Sequence, residues 1–178
     1  MLKIYFTKSN KAKIYRIYAA ACILFFAAGL GIGMFGACTI DRLNLCDEMR
    51  TIDIFANNIK VGISMMCIGA VSGGVYGLGV LMMNGYIVGE LVQFLRASGQ
   101  EELIARGIMP HIGVELAGLT CFALIGFIPI VLLYHWVRNK QQDCTAAVLI
   151  KKTVWLLAVG STLLLAAAVL ECNISSAR

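Results

Sequence analysis

Charged residues are scarce in this chain. Asp, Glu, Lys and Arg make up 14% of its 178 residues, whereas hydrophobic residues make up 60%. A soluble domain carries about 25% charged residues, so the composition excludes a soluble globular protein. Because a helix needs about 20 residues to cross a bilayer, the chain has room for five or six spans and none for a separate soluble catalytic domain. We therefore predict an all-α, polytopic transmembrane helical bundle that forms a single domain over residues 1–178.

Sequence motifs that would indicate catalysis, nucleotide binding or metal binding are also missing. The sequence lacks the GxxxxGK[ST] loop that binds nucleotide phosphates, and it lacks the zinc-protease helix in which two histidines flank a glutamate. Its cysteines show no metal-binding spacing, and Ser64, Ser72 and Ser161 stand among apolar neighbours as small packing residues. We expect no enzyme activity, no catalytic residue, no cofactor and no metal site. The net charge of +5 comes largely from the N-terminal tail and one later loop, so we expect no nucleic-acid partner.

Residues 1–16 form a basic tail with five lysine or arginine residues. Such a tail stays on the cytoplasmic side, next to anionic lipid headgroups. The uncharged stretch from Ile17 to about Cys38 is long enough to be the first span, with Tyr18 at the membrane interface. A cleaved signal peptide is the alternative, but the apolar stretch is longer than such peptides carry.

Loop charges set the topology. Residues 39–56 are net negative and lack lysine, so we expect an outer loop that includes a short helix on the membrane surface. The connection after residue 136 has four basic residues against Asp143, so it belongs inside. Both placements hold only if the apolar run from Asn57 to about Ala97 crosses twice, as a helical hairpin. The chain then spans the plasma (inner) membrane five times, with the N-terminus cytoplasmic and the C-terminus outside; the last two spans cover about residues 112–136 and 148–170.

Two positions compete for the turn of this hairpin. A turn beginning at Gly73-Gly74 gives two arms of similar length, while Asn84-Gly85 is the stronger turn dipeptide and gives a short or broken returning arm. Glycines also recur at four-residue spacing, which lets helix backbones approach closely in lipid. We expect these glycines to pack the bundle internally, and a dimer interface is the alternative; the stripes are Gly29 and Gly33, then Gly69, Gly73 and Gly77, then Gly85 and Gly89.

Polar residues within apolar spans are the candidates for function, because a bilayer disfavours them. Asn57 and Asn58 precede an apolar arm, and helix capping at the interface is their simplest interpretation. Asn84-Gly85 is either a turn or a helix break whose exposed backbone groups Glu90 or a neighbouring helix would satisfy.

His111 and Glu115 are four residues apart and share one helix face, with Pro110 in the first turn of that helix. One histidine and one glutamate make an incomplete metal site, so we expect a structural polar seam, with proton coupling or transport as the alternative. The predicted structural or transport seam comprises Asn57, Asn58, Asn84, Gly85, Glu90, His111 and Glu115.

The order of these motifs resembles a known family. Ile54-Phe55-Ala56-Asn57-Asn58 precedes a glycine-rich run, Leu81 to Gly89 reads LMMNGYIVG, and Met109-Pro110-His111 is followed by Glu115. This pattern is similar to that of the stage II sporulation protein M family, with residues 57–136 as the family-like core. Family members usually have glycine directly after the histidine, whereas Ile112 stands before Gly113 here.

The resemblance implies a polytopic bacterial or archaeal membrane protein. The namesake belongs to an engulfment complex of spore formers together with two peptidoglycan-degrading proteins, and some relatives look like membrane components encoded beside transport ATPases. Two functions follow as expectations: a noncatalytic scaffold of an envelope complex, or a permease subunit whose ATPase is a separate chain. The expected partners are the lipid bilayer, other membrane or envelope proteins, a separate transport ATPase in the second case, and further copies of this chain.

Overall fold

The fold is an all-helical bundle with five helices long and apolar enough to cross a membrane. The computed structural model describes residues 8–36, 50–104, 109–139 and 146–176. The predicted number of spans is therefore confirmed in the described part of the chain. The helices are α1 (Lys8–Phe35), α2 (Thr51–Ser72), α3 (Val75–Ala97), the short α4 (Glu101–Leu103), α5 (Met109–Asn139) and α6 (Ala146–Ser176).

Two helices begin earlier than the sequence indicated. Helix α1 already starts at Lys8, so the second half of the predicted basic tail is helical. Helix α2 starts at Thr51, after Arg50 in an extended conformation, so the last residues of the predicted outer loop belong to a span. Asp53 in the first turn of α2 forms an ion pair of 3.2 Å with Arg50 and lies where the helix dipole favours a negative charge. The predicted surface helix within 39–56 otherwise lies outside the described residues.

The hairpin turns at Gly73-Gly74, and the competing prediction of a turn at Asn84-Gly85 is wrong. Both Gly73 (φ 64°) and Gly74 (φ 89°) are in the left-handed region, which glycine adopts without strain. The backbone N–H of Gly74 donates to the carbonyl of Gly69 at 2.8 Å, the bond that closes a helix in a Schellman motif. Asn84-Gly85 instead lies in the middle of α3.

Helices α1 and α3 run parallel in close backbone contact. Gly29 faces the backbone of Met82. One turn further along both helices, Gly33 faces the backbones of Tyr86 and Gly89. Gly85 likewise lies against the backbone of Phe26 in α1, and Gly89 lies against Leu30 and Gly33. The glycine stripes of these two helices therefore serve internal packing, as predicted.

The directions of the remaining long helices are consistent with spans that alternate in direction along the chain. Helix α2 runs parallel to α5, because Gly62 faces the ring of Phe122 and Gly69 faces the backbone of Gly126. Helix α6 runs antiparallel to α5, because Gly160 also faces Phe122 while Leu164 faces Gly118, earlier in α5. Fully buried side chains, one from each of the five long helices, fill the centre: Cys22, Met65, Leu81, Phe122 and Leu164.

These directions give the bundle two distinct ends. The turn end contains the start of α1, the Gly73-Gly74 turn, the end of α5 and the start of α6, since Tyr18 contacts Gly74 and Phe127 while Lys152 lies over Tyr15. The loop end contains the end of α1, the start of α2, α4 and the start of α5. The described residues with charged side chains at the turn end are all basic: Lys13, Arg16, Lys151 and Lys152.

Candidate functional site

Two members of the predicted seam, Asn84 and Glu115, lie on either side of one small internal space. Asn84 is at the middle of α3, and Glu115 is in the second turn of α5. The space has a volume of about 20 Å³, which is room for about one water molecule. Apart from these two, its lining is apolar and comes from α1, α3 and α5: Phe26, Leu81, Val88, Ile112, Leu116 and Leu119.

Asn84 satisfies part of its hydrogen-bonding capacity on its own helix. Its Nδ2 donates to the carbonyl oxygen of Val80, one turn earlier, at 3.0 Å. This bond allows an amide at mid-span without breaking the helix, because an amide hydrogen of the side chain is bonded to a backbone carbonyl of the same helix. Its neighbour Gly85 is buried with a steric role, since the carbonyl of Phe26 occupies the place that a Cβ would take.

Glu115 belongs to a charged group near the loop end. His111, one turn earlier on α5, and Glu171 of α6 are its charged neighbours. His111, Glu115 and Glu171 are all half-buried, and Pro110 lies in the first turn of α5 as predicted. In the part of the chain that the structure describes, no three histidine, cysteine or acidic side chains converge closely enough to hold a metal ion.

Glu90 is separated from the Asn84–Glu115 space. It is the one buried charged residue among those described, with 6% of its surface exposed, and it lies on α3 where Gly33 of α1 packs against its backbone nitrogen. Its side chain makes polar interactions within the fold. The structure thus places Glu90 in the α1–α3 interface, while Asn84 faces α5.

Asn57 and Asn58 do not cap a helix, and that prediction is wrong. They are the seventh and eighth residues of α2, which begins at Thr51. Asn57 is exposed, whereas Asn58 is half-buried and lies one turn from both Ile54 and Gly62 on the packed face of the helix. Neither residue lines the space between Asn84 and Glu115.

An aromatic cluster at the turn end was not predicted. Tyr18, which is predicted to lie at the membrane interface, is 6% exposed, and its hydroxyl donates to the carbonyl of Gly74 at 2.7 Å. Its ring stacks on Phe127 with centroids 4.0 Å apart. Tyr15 meets the edge of the same phenylalanine at 6.5 Å, and the Nζ of Lys152 lies 3.2 Å from the centroid of the Tyr15 ring. These contacts join α1, the hairpin turn, α5 and α6.

Lys60 was also not predicted as a site residue. It is an exposed lysine in the middle of α2, and its chain neighbour Val61 lines a groove of about 390 Å³ between α2 and α3. Its signal in the sequence was a single positive charge inside an apolar run. Asn84 lines this groove as well as the internal space.

Comparison with known proteins gives one finding for the whole bundle. The sequence model of the family described as stage II sporulation protein M matches residues 22–176, which extends well beyond the predicted family-like core. The curated proteins and the solved structures gave no significant match. The match includes the second half of α1 and all of α2 to α6, together with every member of the predicted seam. The chain belongs to the stage II sporulation protein M family, a family of membrane proteins.

Proposed function

We propose that this chain is a noncatalytic scaffold that holds other proteins together in a multiprotein complex of the cell envelope. The observation that supports it is the use of the intramembrane polar groups for helix contacts. Asn84 and Glu115 meet across a space of about 20 Å³, and Glu90 is buried between α1 and α3. Groups used in this way hold a bundle in one arrangement, as interhelical polar contacts do in membranes.

The centre of the bundle also supports this proposal over a permease. A permeation pathway requires polar or water-filled surface near the middle of the membrane. The level between Asn84 and the turn end is instead filled by large apolar side chains, since Met65, Leu81 and Phe122 are completely buried. The close backbone contact of α1 and α3 further resists the rocking movements by which many transporters expose a site to alternate sides.

A scaffold needs exposed surface for its partners. Large hydrophobic side chains are exposed along all five long helices, and these surfaces face lipid or other membrane proteins. We place the chain in the plasma (inner) membrane with its turn end toward the cytoplasm, because the described charges at that end are all basic.

The proposal is tested by isolating the protein from its native membrane after mild chemical crosslinking and identifying its partners by mass spectrometry. Asn84→Ala and Glu115→Gln remove the two polar groups that meet in the core, and we expect both variants to keep the same partners at similar yield. Glu101→Gln, at an exposed acid outside this charged group, is the control for the loss of a carboxylate. Recovery of envelope proteins such as cell-wall hydrolases supports a scaffold. Recovery of a transport ATPase whose activity depends on Asn84 or Glu115 would overturn it.

A further inference from the structure

Lys60 lies at the middle of the candidate membrane span Thr51–Ser72, on the outside of the bundle. Gly62 of α2 and Gly160 of α6 both face the ring of Phe122 in α5, and these three residues are central in the spans Thr51–Ser72, Leu149–Cys172 and Met109–Tyr134. Their contact therefore marks the level of the membrane centre. Lys60 precedes Gly62 by two residues, which on a helix is roughly 200° of rotation, so its side chain is on the opposite, exposed face.

A single charge at this level is unfavourable in lipid. Ionisable residues inside a membrane usually pair with another group or face a water-filled cavity. Within the described part of the chain, the ammonium group of Lys60 has no hydrogen-bond or ion-pair partner. The headgroup region at the start of α2 is nine residues away, which is about 13 Å along a helix, farther than a lysine side chain extends. Lys60 thus lies within a candidate span without a polar partner among the described residues, and another molecule can supply one.

A groove for that molecule lies next to Lys60. It runs between α2 and α3, which pack on each other far less than α1 and α3 do. Lys60 adjoins Val61 in its wall and lies one helical turn from Ser64, whose Oγ accepts a bond of 3.4 Å from the hydroxyl of Tyr76 across the groove. The groove has a volume of about 390 Å³, and its lining is almost entirely apolar: Val61, Tyr76, Gly79, Val80, Met83, Asn84 and Ile87.

The shape and composition of the groove suit a transmembrane helix. A Cβ built on Gly79 meets no atom within 4 Å, so this glycine opens toward lipid rather than toward another helix of the bundle. Small residues at such positions let a second helix approach closely. Asn84 adds a polar group to the floor of the groove at mid-span, and Lys60 adds a positive charge at its rim.

We propose that the groove between α2 and α3 binds a transmembrane helix of a different protein, and that a carboxylate on this helix pairs with Lys60. This inference rests on the proposed scaffold function and names the class of partner. A second copy of the chain does not supply the carboxylate, because the described exposed acids, Asp53, Glu101 and Glu102, all lie at the loop end. A lipid phosphate stays in the headgroup layer, away from the membrane centre.

The test places a photo-crosslinking amino acid at Met83, an exposed residue of the groove. Leu165, exposed on α6, is the control position. We expect the Met83 probe to capture a membrane protein through a transmembrane segment that contains aspartate or glutamate. Lys60→Met should lower this adduct by at least about tenfold, since truncating one partner of a buried charge pair costs more than 1.4 kcal/mol, and Lys60→Arg should retain it. Gly79→Leu, which fills the groove, should abolish the adduct, whereas Gly113→Leu, at another open glycine, should not.

Charge exchange provides the decisive result. After the captured helix is identified, Lys60→Glu should lose the partner, and a lysine in place of the partner's carboxylate should restore it. The inference is overturned if Met83 captures lipid alone, a second copy of this chain, or a helix without a carboxylate, or if Lys60→Met leaves the adduct unchanged. If partners still co-purify with Lys60→Met and Gly79→Leu at the wild-type yield, the scaffold proposal stands and the groove inference fails. If wild-type protein brings no partner at all, the scaffold proposal itself fails.

Discussion

The hydroxyl of Tyr18 donates a hydrogen bond of 2.7 Å to the carbonyl oxygen of Gly74, and the bond is buried. The two residues are 56 positions apart, one near the start of α1 and one in the turn of the α2–α3 hairpin. The same tyrosine ring stacks on Phe127 with an interplanar angle of 4°. A single side chain therefore fixes the turn of the hairpin against two other helices.

Tyr18→Phe removes this hydrogen bond and keeps the aromatic stack. The carbonyl of Gly74 is left with a long bond of 3.4 Å from the backbone N–H of Leu78, so its bonding is weakened rather than abolished. We expect the free energy of unfolding to fall by about 1 kcal/mol. Reversible unfolding in mixed lipid and detergent micelles measures the change. Tyr76→Phe is the matched control, because its hydroxyl makes a bond of 3.4 Å to Ser64 that is only partly buried. Equal losses in the two variants would contradict the special role of Tyr18.

Gly85→Ala tests the close contact of α1 and α3. The added methyl group would occupy the position of the Phe26 carbonyl, so one helix backbone has to move. We expect a loss of roughly 2–3 kcal/mol in unfolding free energy, at the upper end for overpacked sites. Gly31→Ala in α1 is the control, because nothing lies within 4 Å of its Cβ position, and it should change stability by less than about 0.5 kcal/mol. A tolerated Gly85→Ala would mean that the two backbones are not in contact.

Gly74→Ala tests the hairpin turn. Alanine at a φ of 89° is strained by about 1–2 kcal/mol, and its Cβ would also lie 2.8 Å from the Phe127 ring and 2.9 Å from the Tyr18 hydroxyl. Gly99→Ala carries the backbone strain alone, because Gly99 has a φ of 70° and open space around it. We therefore expect Gly74→Ala to be the more destabilising of the two in the same unfolding experiment. The reverse order would show that the side chains of Tyr18 and Phe127 move aside at little cost in free energy.

The sequence was sufficient to predict the spans and the glycine packing of α1 on α3, because both depend on local composition, whereas the predicted stripe of Gly69, Gly73 and Gly77 is divided by the hairpin turn. Apolar length determines which segments cross the membrane, and glycine spacing determines where two helices approach each other. The turn at Asn84-Gly85 and the cap at Asn57 were wrong for one shared reason. Turn and capping preferences are measured where water competes for backbone groups, whereas a helix in lipid keeps its own hydrogen bonds, and Asn84 even donates to Val80.

Contacts between distant residues were beyond the reach of sequence reasoning. Nothing near Tyr18 indicates that its partner is Gly74, since the pairing depends on the parallel register of α1 and α3. The same holds for Asn84 and Glu115, whose meeting requires the facing positions on α3 and α5. Lys60 was different, because its charge was visible in the sequence. A binding role for Lys60 could be proposed only from the structure, in which this residue is exposed at the middle of α2.

A double-mutant cycle measures whether Asn84 and Glu115 act together. The variants are Asn84→Ala, Glu115→Ala and the combination, each examined by reversible unfolding. Because the space between the two side chains holds about one water molecule, we expect a coupling energy of about 0.5–1 kcal/mol, typical of interhelical polar contacts in membranes. Asn58→Ala combined with Asn84→Ala is the control pair, since Asn58 does not line this space, and it should show additive losses. Additive losses for Asn84 and Glu115 would instead mean that the seam is not a coupled unit.

Single cysteine substitutions test both the alternation of the helices and their orientation. Arg50 and Ser98 are exposed at the loop end, and Lys151 is exposed at the turn end. With the basic end inside, a membrane-impermeant thiol reagent should label Arg50→Cys and Ser98→Cys in intact cells and should label Lys151→Cys only after the membrane is permeabilised. Mass spectrometry of the individual peptides separates these sites from the native cysteines.

The other labelling patterns distinguish a wrong orientation from a wrong fold. Labelling of Lys151→Cys alone in intact cells would mean that the orientation is the reverse of the proposed one. The bundle itself would still stand, because all turn-end residues would then be outside together. Labelling of Arg50→Cys without Ser98→Cys would contradict the fold itself. The start of α2 and the end of α3 are on one side only if the Gly73-Gly74 hairpin crosses the membrane twice, and the parallel packing of α1 on α3 requires that same double crossing. Labelling of both loop-end sites with protection of Lys151→Cys is the only pattern that agrees with the bundle and with the charges at its ends.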